Sequence, residues 1–307
     1  MVKHIGVDIG GTNLRFGIVE GLRVIDETRV SADFANICRT HAPAQAWQTI
    51  INIIAEHIQQ CILNHPEIAS VGIGFPGFID AATGRLAQSP NLPGLMDVDL
   101  AKDLSQALNM PVIVENDALA AAYGEYQLLI FPVPSLIYIG LGTGVGGGLI
   151  YNGQVFPGQH GMAMEVGHII VEPDGRLCGC GNYGCLEQYA SASGVSKSYQ
   201  LATQQIIAAH EIASLATRGE QAAIDAYETA GDAIAQVVAH IAKVLDVGTV
   251  VIGGGMSQAW PLMLPAFSQR LAKDLIPVLR DKVNVYASKS GDQAGMIGAA
   301  LLSASKH

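Results

Sequence analysis

The stretch from residue 160 to residue 189 holds the densest group of side chains that could do chemistry in this sequence. It reads HGMAMEVGHIIVEPDGRLCGCGNYGCLEQY and contains four candidate metal ligands: His168, Cys178, Cys180 and Cys185. One imidazole and three thiolates form a closed Cys₃His tetrahedron, the ligand set that structural zinc prefers. Because such a site has no open position for water, the predicted zinc holds a loop and does not catalyse.

Two alternatives to zinc remain for these cysteines, namely a redox pair or disulfide bonds. The Cys-x-Cys spacing of Cys178 and Cys180 is not the usual redox spacing, and a histidine close by favours a metal. Gly179, Gly181 and Gly184 let a short backbone fold tightly around an ion. The loop would then hold the acidic residues that flank it, Glu165 and Glu187.

The beginning of the chain predicts a β-hairpin with a glycine tip. Residues 4–19 read HIGVDIGGTNLRFGIV, in which two strand-like segments flank Gly10, Gly11 and Thr12. Bare backbone at such a tip allows phosphate oxygens to approach N–H groups, and Asp8 beside it could hold Mg²⁺. A plain tight hairpin is the alternative.

A second segment repeats this plan. Residues 137–153, IYIGLGTGVGGGLIYNG, again contain a strand, a turn at Gly142, Thr143 and Gly144, and another strand. Two related hairpins in one chain indicate a duplicated domain. The Walker pattern is absent, which argues against a P-loop kinase.

Three further junctions carry candidate ligand-binding residues. Residues 69–75 predict a strand that ends in a turn over residues 76–80, which contains Gly77, Phe78 and Ile79. The segment SPNLPG presents Asn91 between two prolines. Residues 111–124 predict a strand followed by a helix, with Asn116 and Asp117 at the junction. An acidic residue at such a place is often only a helix cap, and Asn91 could equally cap a turn.

The remaining elements are mainly structural. Helical spacing predicts packing helices over 43–64 and 222–246, and residues 292–305 predict a helix of small residues. The strand TVVIGGGMS ends in three glycines, Gly253, Gly254 and Gly255, against which a flat ring such as adenine could lie.

The composition limits the class of protein. In 307 residues, 50% are hydrophobic, and 17 basic against 27 acidic residues leave a formal charge of −10, which predicts a globular protein that does not bind nucleic acid. The sequence contains neither a signal peptide nor a run of membrane-spanning length, so we expect a cytoplasmic protein without a membrane partner. Cys38 and Cys61 are expected to be inert thiols.

ExGH at 165–168 followed by CGCGNYGCLE at 178–187 resembles the signature of the ROK family (repressor, open reading frame, kinase). Its enzymes are sugar kinases, and its name also covers sugar-responsive repressors. The paired hairpins resemble those with which actin-like (ribonuclease H-like) ATPases grip a nucleotide. The resemblance implies a two-lobed α/β fold with a central nucleotide and sugar cleft. We expect residues 1–117 plus 292–307 in the first lobe and 118–291 in the second.

The resemblance also implies roles for individual residues. Asp117 would be the general base, Asp8 would organise Mg²⁺, the two glycine turns would hold the phosphates of ATP, and the triple glycine would contact adenosine. Residues implied to bind the sugar are Gly77, Asn91, Asn116, Asp117, Glu165, His168 and Glu187. His168 can serve both metal and sugar because imidazole has two nitrogens. The hairpins are expected to lie far from the zinc loop.

The expected reaction is phosphorylation of a hexose, glucose or a related aldohexose, at its 6-hydroxyl by a homodimer. Kinases for N-acetylglucosamine, N-acetylmannosamine, allose or fructose are alternatives. Alternatives of another class are a sugar-sensing regulator, for which no DNA-binding segment precedes the first hairpin, and an actin-like ATPase that binds proteins. Two residues depart from the family pattern: Met164 stands where relatives usually have glycine, and Leu119 where they commonly have a small or polar residue.

Overall fold

The computed structural model describes residues 2–10, 13–80, 83–89 and 92–305 of this α/β chain. Gly11, Thr12 and Asn91 therefore lie outside the described residues. Within the described ranges, no helix combines the length and the apolar character that crossing a membrane requires.

Internal contacts divide the described chain into two compact units. Unit 1 comprises Met1–Pro132, Gly148–Ala163 and Asp292–His307, and unit 2 comprises Val133–Gly147 and Met164–Gly291. Along the chain the elements are β1 (Lys3–Ile9), β2 (Asn13–Glu20), β3 (Arg23–Ser31), α1 (Phe34–Thr40), α2 (Pro43–Asn64), β4 (Ile68–Phe75), β5 (Phe78–Ile79), β6 (Leu86–Gln88), β7 (Met96–Val98), α3 (Leu100–Leu108), β8 (Val112–Asn116), α4 (Asp117–Leu128), β9 (Leu136–Leu141), β10 (Val145–Tyr151), β11 (Gln154–Val155), α5 (Glu187–Ala190), α6 (Ala192–Thr203), α7 (Ala209–Thr217), α8 (Gln221–Leu245), β12 (Thr249–Gly253), α9 (Trp260–Asp274), β13 (Asn284–Ala287) and α10 (Ala294–Ser305).

The sheet of unit 1 has the strand order β3-β2-β1-β4-β8. Strands β1, β2 and β3 are antiparallel, as the predicted hairpin requires, whereas β1, β4 and β8 are parallel. Val7 lies opposite Phe16 on β2 and Ile73 on β4, and Ile73 lies opposite Val114 on β8. All four side chains are buried. Residues paired across neighbouring strands point to the same face of a sheet, so these four apolar groups lie on one face.

Helix α2 supplies apolar side chains to the same core. Ile50, Ile54 and Ile58 recur at every fourth position and are fully buried, which confirms the packing helix predicted over 43–64. The Trp47 indole N–H donates a hydrogen bond of 2.7 Å to Asp103 on α3 and so joins the two helices.

Helix α10 packs backbone against backbone on the other face of this sheet. Strand alternation turns Gly6 and Gly72 away from the core of α2 and towards α10. A Cβ at Gly6 would lie 1.9 Å from the Met296 carbonyl oxygen, and one at Gly72 would lie 1.8 Å from that of Ala299. The contact between α10 and α4 is equally close, at Gly124 and Gly298. The helix predicted over 292–305 therefore belongs to unit 1.

The second sheet has the order β11-β10-β9-β12-β13, and β12 runs parallel to both β9 and β13. Strands β9 and β10 form the second predicted hairpin, and the division between the units passes through β10 after Gly147. In unit 2 the long helix α8, predicted over 222–246, packs against α9. Gly231 allows this contact, because a Cβ there would lie 2.2 Å from the Met263 carbonyl oxygen.

Two local features differ from the sequence-based expectations. Phe78 and Ile79, predicted within a turn, form β5 of a small antiparallel sheet with β6 and β7. The first unit continues to Pro132 instead of ending at Asp117, since α4 packs on α10. Residues 148–163 also belong to unit 1, where Gly148 approaches the Ala118 carbonyl oxygen and Ala122.

Met164 adopts a backbone conformation that favours glycine. Its φ is +66°, in the left-handed region, where a Cβ is crowded by the neighbouring carbonyl. The Val166 N–H donates to the Met164 carbonyl oxygen at 2.6 Å and closes a tight turn centred on Glu165. The residue that departs from the family pattern thus stands at a strained position next to Glu165.

The close contact between α10 and the sheet predicts how much an added methyl group lowers the free energy of unfolding. The loss should be large where the methyl group meets backbone and small where it meets a flexible side chain. Gly72→Ala should lower the free energy of unfolding by about 2 kcal/mol or more, because its Cβ meets backbone that cannot move. Gly17→Ala in the same sheet is the matched control, since its Cβ meets the flexible Met296 side chain at 3.0 Å. It should cost under about 1 kcal/mol. Urea unfolding measures both, and equal losses would contradict the backbone contact.

The strain at Met164 predicts an order of stability among variants. Met164→Gly should unfold at the same or a higher urea concentration than the wild type, because relief of about 1 kcal/mol offsets the greater freedom of glycine in the unfolded chain. Met164→Val should unfold earlier than both, since a branched Cβ is crowded further in the left-handed region. A valine variant more stable than the glycine variant would be inconsistent with the strain.

Candidate active site and metal centre

Asp8 and Asp117 lie at the same edge of the unit 1 sheet. Asp8 pairs in register with Gly74 on the parallel strand β4, and Gly74 pairs with Glu115 on β8, two residues before Asp117. Gly74 has no side chain to separate the two aspartates, and a Cβ there would lie 3.4 Å from the Asp117 Cα. The carboxyl ends of parallel strands meet at one edge, which is where open α/β sheets bind ligands.

Loss of water raises the pKa of both carboxyls. Burial, assisted by the negative charge of Asp117 and opposed by Arg15, raises the pKa of Asp8 to about 6. Burial also raises the pKa of Asp117, although the Ala118 N–H donates a hydrogen bond of 2.9 Å to it. Each of the two residues as a whole is only partly buried. A cation placed here would relieve the unfavourable charge.

Asn116 caps helix α4. Helix capping was the alternative role considered for Asp117 in the sequence analysis. Its side-chain oxygen accepts the Leu119 N–H at 3.0 Å, and its amide donates to the Gly77 carbonyl oxygen at 3.2 Å. Asn116 therefore joins β8, α4 and the turn after β4, while Asp117 is left to face the sheet edge. Leu119, the second departure from the family pattern, is buried.

Arg15 is a residue at this edge that sequence reasoning missed. It lies opposite Asp8 on β2, and its guanidinium donates to Glu27 at 3.1 Å and to the Asp292 carbonyl oxygen at 2.8 Å. The Asp292 carboxylate is 3.4 Å away. A charged residue between the apolar residues Leu14 and Phe16 of β2 was the signal that could have indicated it.

The four predicted metal ligands converge in unit 2. Their ligand atoms all lie within 4.8 Å of one another, with the Cys178 Sγ 3.7 Å from the His168 Nδ1 and the Cys180 Sγ 3.6 Å from the Cys185 Sγ. Zn–S bonds of about 2.3 Å give tetrahedral edges of about 3.8 Å, so the donor set fits zinc. A disulfide would require sulfur atoms about 2.05 Å apart.

The backbone of this loop depends on its glycines. Gly181 and Gly184 have φ values of +94° and +76°, and a Cβ at Gly184 would lie 1.7 Å from the Glu172 carbonyl oxygen. The Cys178 carbonyl oxygen accepts the Gly181 N–H at 3.0 Å, which closes the turn between the cysteines.

His168 turns its two nitrogens in different directions. Its Nδ1 faces Cys178, whereas its Nε2 lies 3.9 Å from a Glu165 carboxylate oxygen. A metal on Nδ1 leaves Nε2 for a second partner, as the dual role expected for this residue requires.

The second glycine turn lies directly against Glu187, so the expectation that the hairpins are far from the zinc loop is wrong for this one. Glu187 accepts the Val145 N–H at 3.1 Å, and a Cβ at Gly144 would lie 2.5 Å from the same carboxylate oxygen. The Gly142 N–H donates to the Gly144 carbonyl oxygen at 2.9 Å, which tightens the turn around Thr143. Glu187 follows Cys185 after one residue, and this short segment brings the metal loop to the turn.

The triple glycine spans the end of β12: Gly253 is the last residue of the strand, and Gly255 begins a 3₁₀ turn over Gly255–Ala259. Gly254 has a φ of +78° and approaches the Leu141 carbonyl oxygen so closely that a Cβ would lie 2.4 Å from it. Gly253 lies against Tyr138, whereas the space above Gly255 is open. This backbone can accept a flat group at Gly255.

Those predicted site residues that the structure describes thus form one group in each unit. Unit 1 brings together Asp8, Gly77, Asn116 and Asp117, with Gly10 at the end of β1, where its N–H donates to the Asn13 carbonyl oxygen at 2.8 Å. Unit 2 contains the second turn, the triple glycine, the metal ligands, Glu165 and Glu187.

Comparison with known proteins identifies the family. The ROK family model matches residues 4–306. A glucokinase from Thermotoga maritima is 31% identical over 316 residues, which cover 98% of this chain and 97% of that protein. An N-acetyl-D-glucosamine kinase from Escherichia coli is 32% identical over 310 residues, covering 97% of this chain and 98% of that protein.

A solved structure of a ROK family glucokinase from Streptomyces griseus, in complex with glucose and AMPPNP, matches with a TM-score of 0.84 and 31% identity over 99% of both chains. The structural neighbours confirm the predicted actin-like ATPase fold. With the family model spanning nearly every residue and relatives above 30% identity along the same length, this chain belongs to the ROK family.

Proposed function

We propose that this ATP-dependent sugar kinase transfers the γ-phosphoryl group of ATP to the 6-hydroxyl of glucose or a related aldohexose. Asp117 is the general base in this proposal. The observation that carries it is the position of Asp117, a desolvated carboxylate directly after β8, in the first residue of α4, where Asn116 and not Asp117 caps the helix. Phosphoryl transfer requires positioning and charge neutralisation more than covalent chemistry, so one well-placed base suffices.

A base in this position has the properties that the reaction needs. Its raised pKa makes Asp117 a better proton acceptor than a free aspartate. Asn116 orients the residue by fixing the first turn of α4 and the Gly77 carbonyl group. In the proposal, Asn116, Gly77 and Asn91 contact sugar hydroxyls.

Asp8 would hold Mg²⁺, which when bound supplies the positive charge that neutralises the phosphates. The observation in favour is the burial of Asp8 at the sheet edge beside Asp117, which raises the pKa of Asp8 to about 6 and makes this a favourable place for a hard cation. Gly10, Gly11 and Thr12, together with Gly142, Thr143 and Gly144, would bind phosphate oxygens through backbone N–H groups. Gly253, Gly254 and Gly255 would contact the adenosine.

In unit 2, Glu165, His168 and Glu187 would bind the sugar. His168, Cys178, Cys180 and Cys185 would hold zinc, whose contribution when bound is to fix the loop that positions these groups. Relatives include both a glucokinase and an N-acetyl-D-glucosamine kinase at nearly equal identity, so phosphorylation of an N-acetylhexosamine is the second candidate. A sugar-sensing regulator would bind the sugar without turnover.

The proposed base is tested by Asp117→Asn with a panel of hexoses. The amide keeps the shape of the carboxylate but cannot accept a proton, so kcat should fall roughly 10²-fold or more while the sugar Kd changes less than about tenfold. Asp103→Asn, which alters the structural partner of Trp47, is the matched control. Coupled measurement of ADP release and calorimetry give the two quantities.

In the same experiment, kcat/KM of the wild type should fall as the pH drops through about 6, because burial raises the pKa of Asp8 to about 6 and raises that of Asp117 as well. Near-normal turnover of Asp117→Asn would remove it from the role. Hexose binding without ADP release in the wild type would favour the regulator.

The metal centre is tested by metal analysis and by Cys180→Ser. We expect about one zinc per chain, loss of that zinc in the variant, and a sugar KM raised about 10–100-fold with lower thermal stability. Cys38→Ser is the control, because Cys38 lies in α1 outside the loop. A chelator should inactivate the enzyme slowly. A zinc-free wild type with full activity would refute the structural metal.

A further inference from the structure

Arg176 makes the densest set of side-chain contacts near the metal loop, and nothing in the proposed reaction uses it. Its guanidinium donates to the carbonyl oxygens of Gln188 at 2.6 Å and Gly194 at 3.1 Å, and to the Ser198 hydroxyl at 2.9 Å. It also stacks 4.5 Å above the ring of Tyr189. One side chain thus holds both α5 and the first turns of α6.

The metal loop fixes the backbone of Arg176. Arg176 precedes Cys178 by two residues, and its carbonyl oxygen accepts the Gly184 N–H at 2.8 Å, next to Cys185. The Arg176 N–H donates to the Tyr189 hydroxyl at 3.1 Å. Any change in how the cysteines are held therefore moves the base of this side chain.

Residues 187–194, here called the corner, comprise α5, Ser191 and the first residues of α6. Ser191 is fully buried there, and its hydroxyl donates to the Glu187 carbonyl oxygen at 2.6 Å and accepts the Gly194 N–H at 3.0 Å. The Ser193 hydroxyl lies 2.9 Å from that of Ser191. The corner is thereby a rigid unit that Arg176 grips at two carbonyl groups.

The corner in turn holds the second glycine turn by its backbone. The Ala192 N–H donates to the Gly142 carbonyl oxygen at 2.9 Å, and the Ser193 hydroxyl donates to the Thr143 carbonyl oxygen at 3.3 Å. Glu187 accepts the Val145 N–H at 3.1 Å. Contacts from the corner therefore fix the peptide groups on both sides of Thr143.

These contacts determine where the N–H groups of the turn point. In a trans peptide the C=O and N–H bonds are antiparallel. Because the corner binds the carbonyl oxygens of Gly142 and Thr143, the N–H groups of Thr143 and Gly144 are directed away from it. Two successive N–H groups with a common direction form a concavity that binds anions.

From this chain of contacts we propose that Arg176 and Ser193 are positioning residues through which the Cys₃His loop orients the Gly142–Gly144 turn for nucleotide phosphates. The metal centre then sets the affinity for nucleotide as well as for sugar. The inference rests on the proposed function, in which this turn binds ATP. The loop would then orient the Gly142–Gly144 turn in addition to positioning the groups that bind the sugar, a role that its sequence motif alone does not indicate.

Calorimetric titration of Mg·ADP into the purified enzyme tests the proposal. Ser193→Ala removes one hydrogen bond at an exposed position and should weaken Mg·ADP binding about fivefold. Arg176→Met keeps the length of the side chain but removes its donors, and should weaken binding about tenfold or more while retaining zinc. Arg176→Lys should recover part of the loss, since lysine keeps the charge without the planar fork.

Arg270→Met is the matched control, because Arg270 is a half-buried arginine of unit 2 that bonds Asp232 and Asp274 away from the turn. It should change the Mg·ADP affinity by less than about twofold even where it lowers Tm as much as Arg176→Met. This comparison separates positioning from a general loss of stability.

A double variant tests the path itself. If the metal acts on the turn through Arg176, the combination of Cys180→Ser with Arg176→Met should weaken Mg·ADP binding by less than the product of the two single effects. The proposal is overturned if Ser193→Ala or Arg176→Met binds Mg·ADP as tightly as the wild type. It is also overturned if the loss of affinity in the double variant equals the product of the two single losses. A wild type that binds no Mg·ADP would instead refute the proposed function.

Discussion

The arrangement of unit 1 depends on one electrostatic constraint. Two carboxyl groups, those of Asp8 and Asp117, lie close together with little water around them. Asp8 and Asp117 reach one sheet edge because β1, β4 and β8 are parallel and because Gly74 between them has no side chain. Arg15 opposes the charge from β2 and is itself held by Glu27 and Asp292. Such a pair is costly unless a cation joins it, which is the electrostatic setting that phosphoryl transfer uses.

In unit 2 the comparable constraint is geometric. Three cysteine sulfurs and one imidazole nitrogen lie close together. The loop that carries the cysteines has positive φ at Gly181 and Gly184, which allows the backbone to turn tightly enough to bring them together. The corner contacts the glycine turn through the Ala192 N–H and through the side chains of Ser193 and Glu187, each of which bonds a backbone group of the turn or of Val145 directly after it. Backbone contacts of this kind transmit orientation well, because a peptide plane cannot turn without breaking them.

The sequence was most informative where residue type alone dictates local structure. The Cys₃His set, both hairpins, the strand-to-helix junction at Asn116 and the helix at 43–64 follow from ligand chemistry, glycine and periodicity, and the structure contains each element. Arg15 and Arg176 were not predicted, because their roles depend on which residues lie opposite them after folding. The extent of unit 1 was missed for the same reason, since only the packed structure reveals that α4 rests on the glycines of α10.

The discontinuity of unit 1 has a consequence for how the chain is made. A ribosome synthesises α10 only after every residue of unit 2, yet α10 completes the sheet face formed by Gly6 and Gly72. Unit 2 can therefore acquire its core on the nascent chain first, while unit 1 exposes an apolar sheet face until α10 emerges. During that interval the glycine-lined face is the part of the molecule most in need of a chaperone.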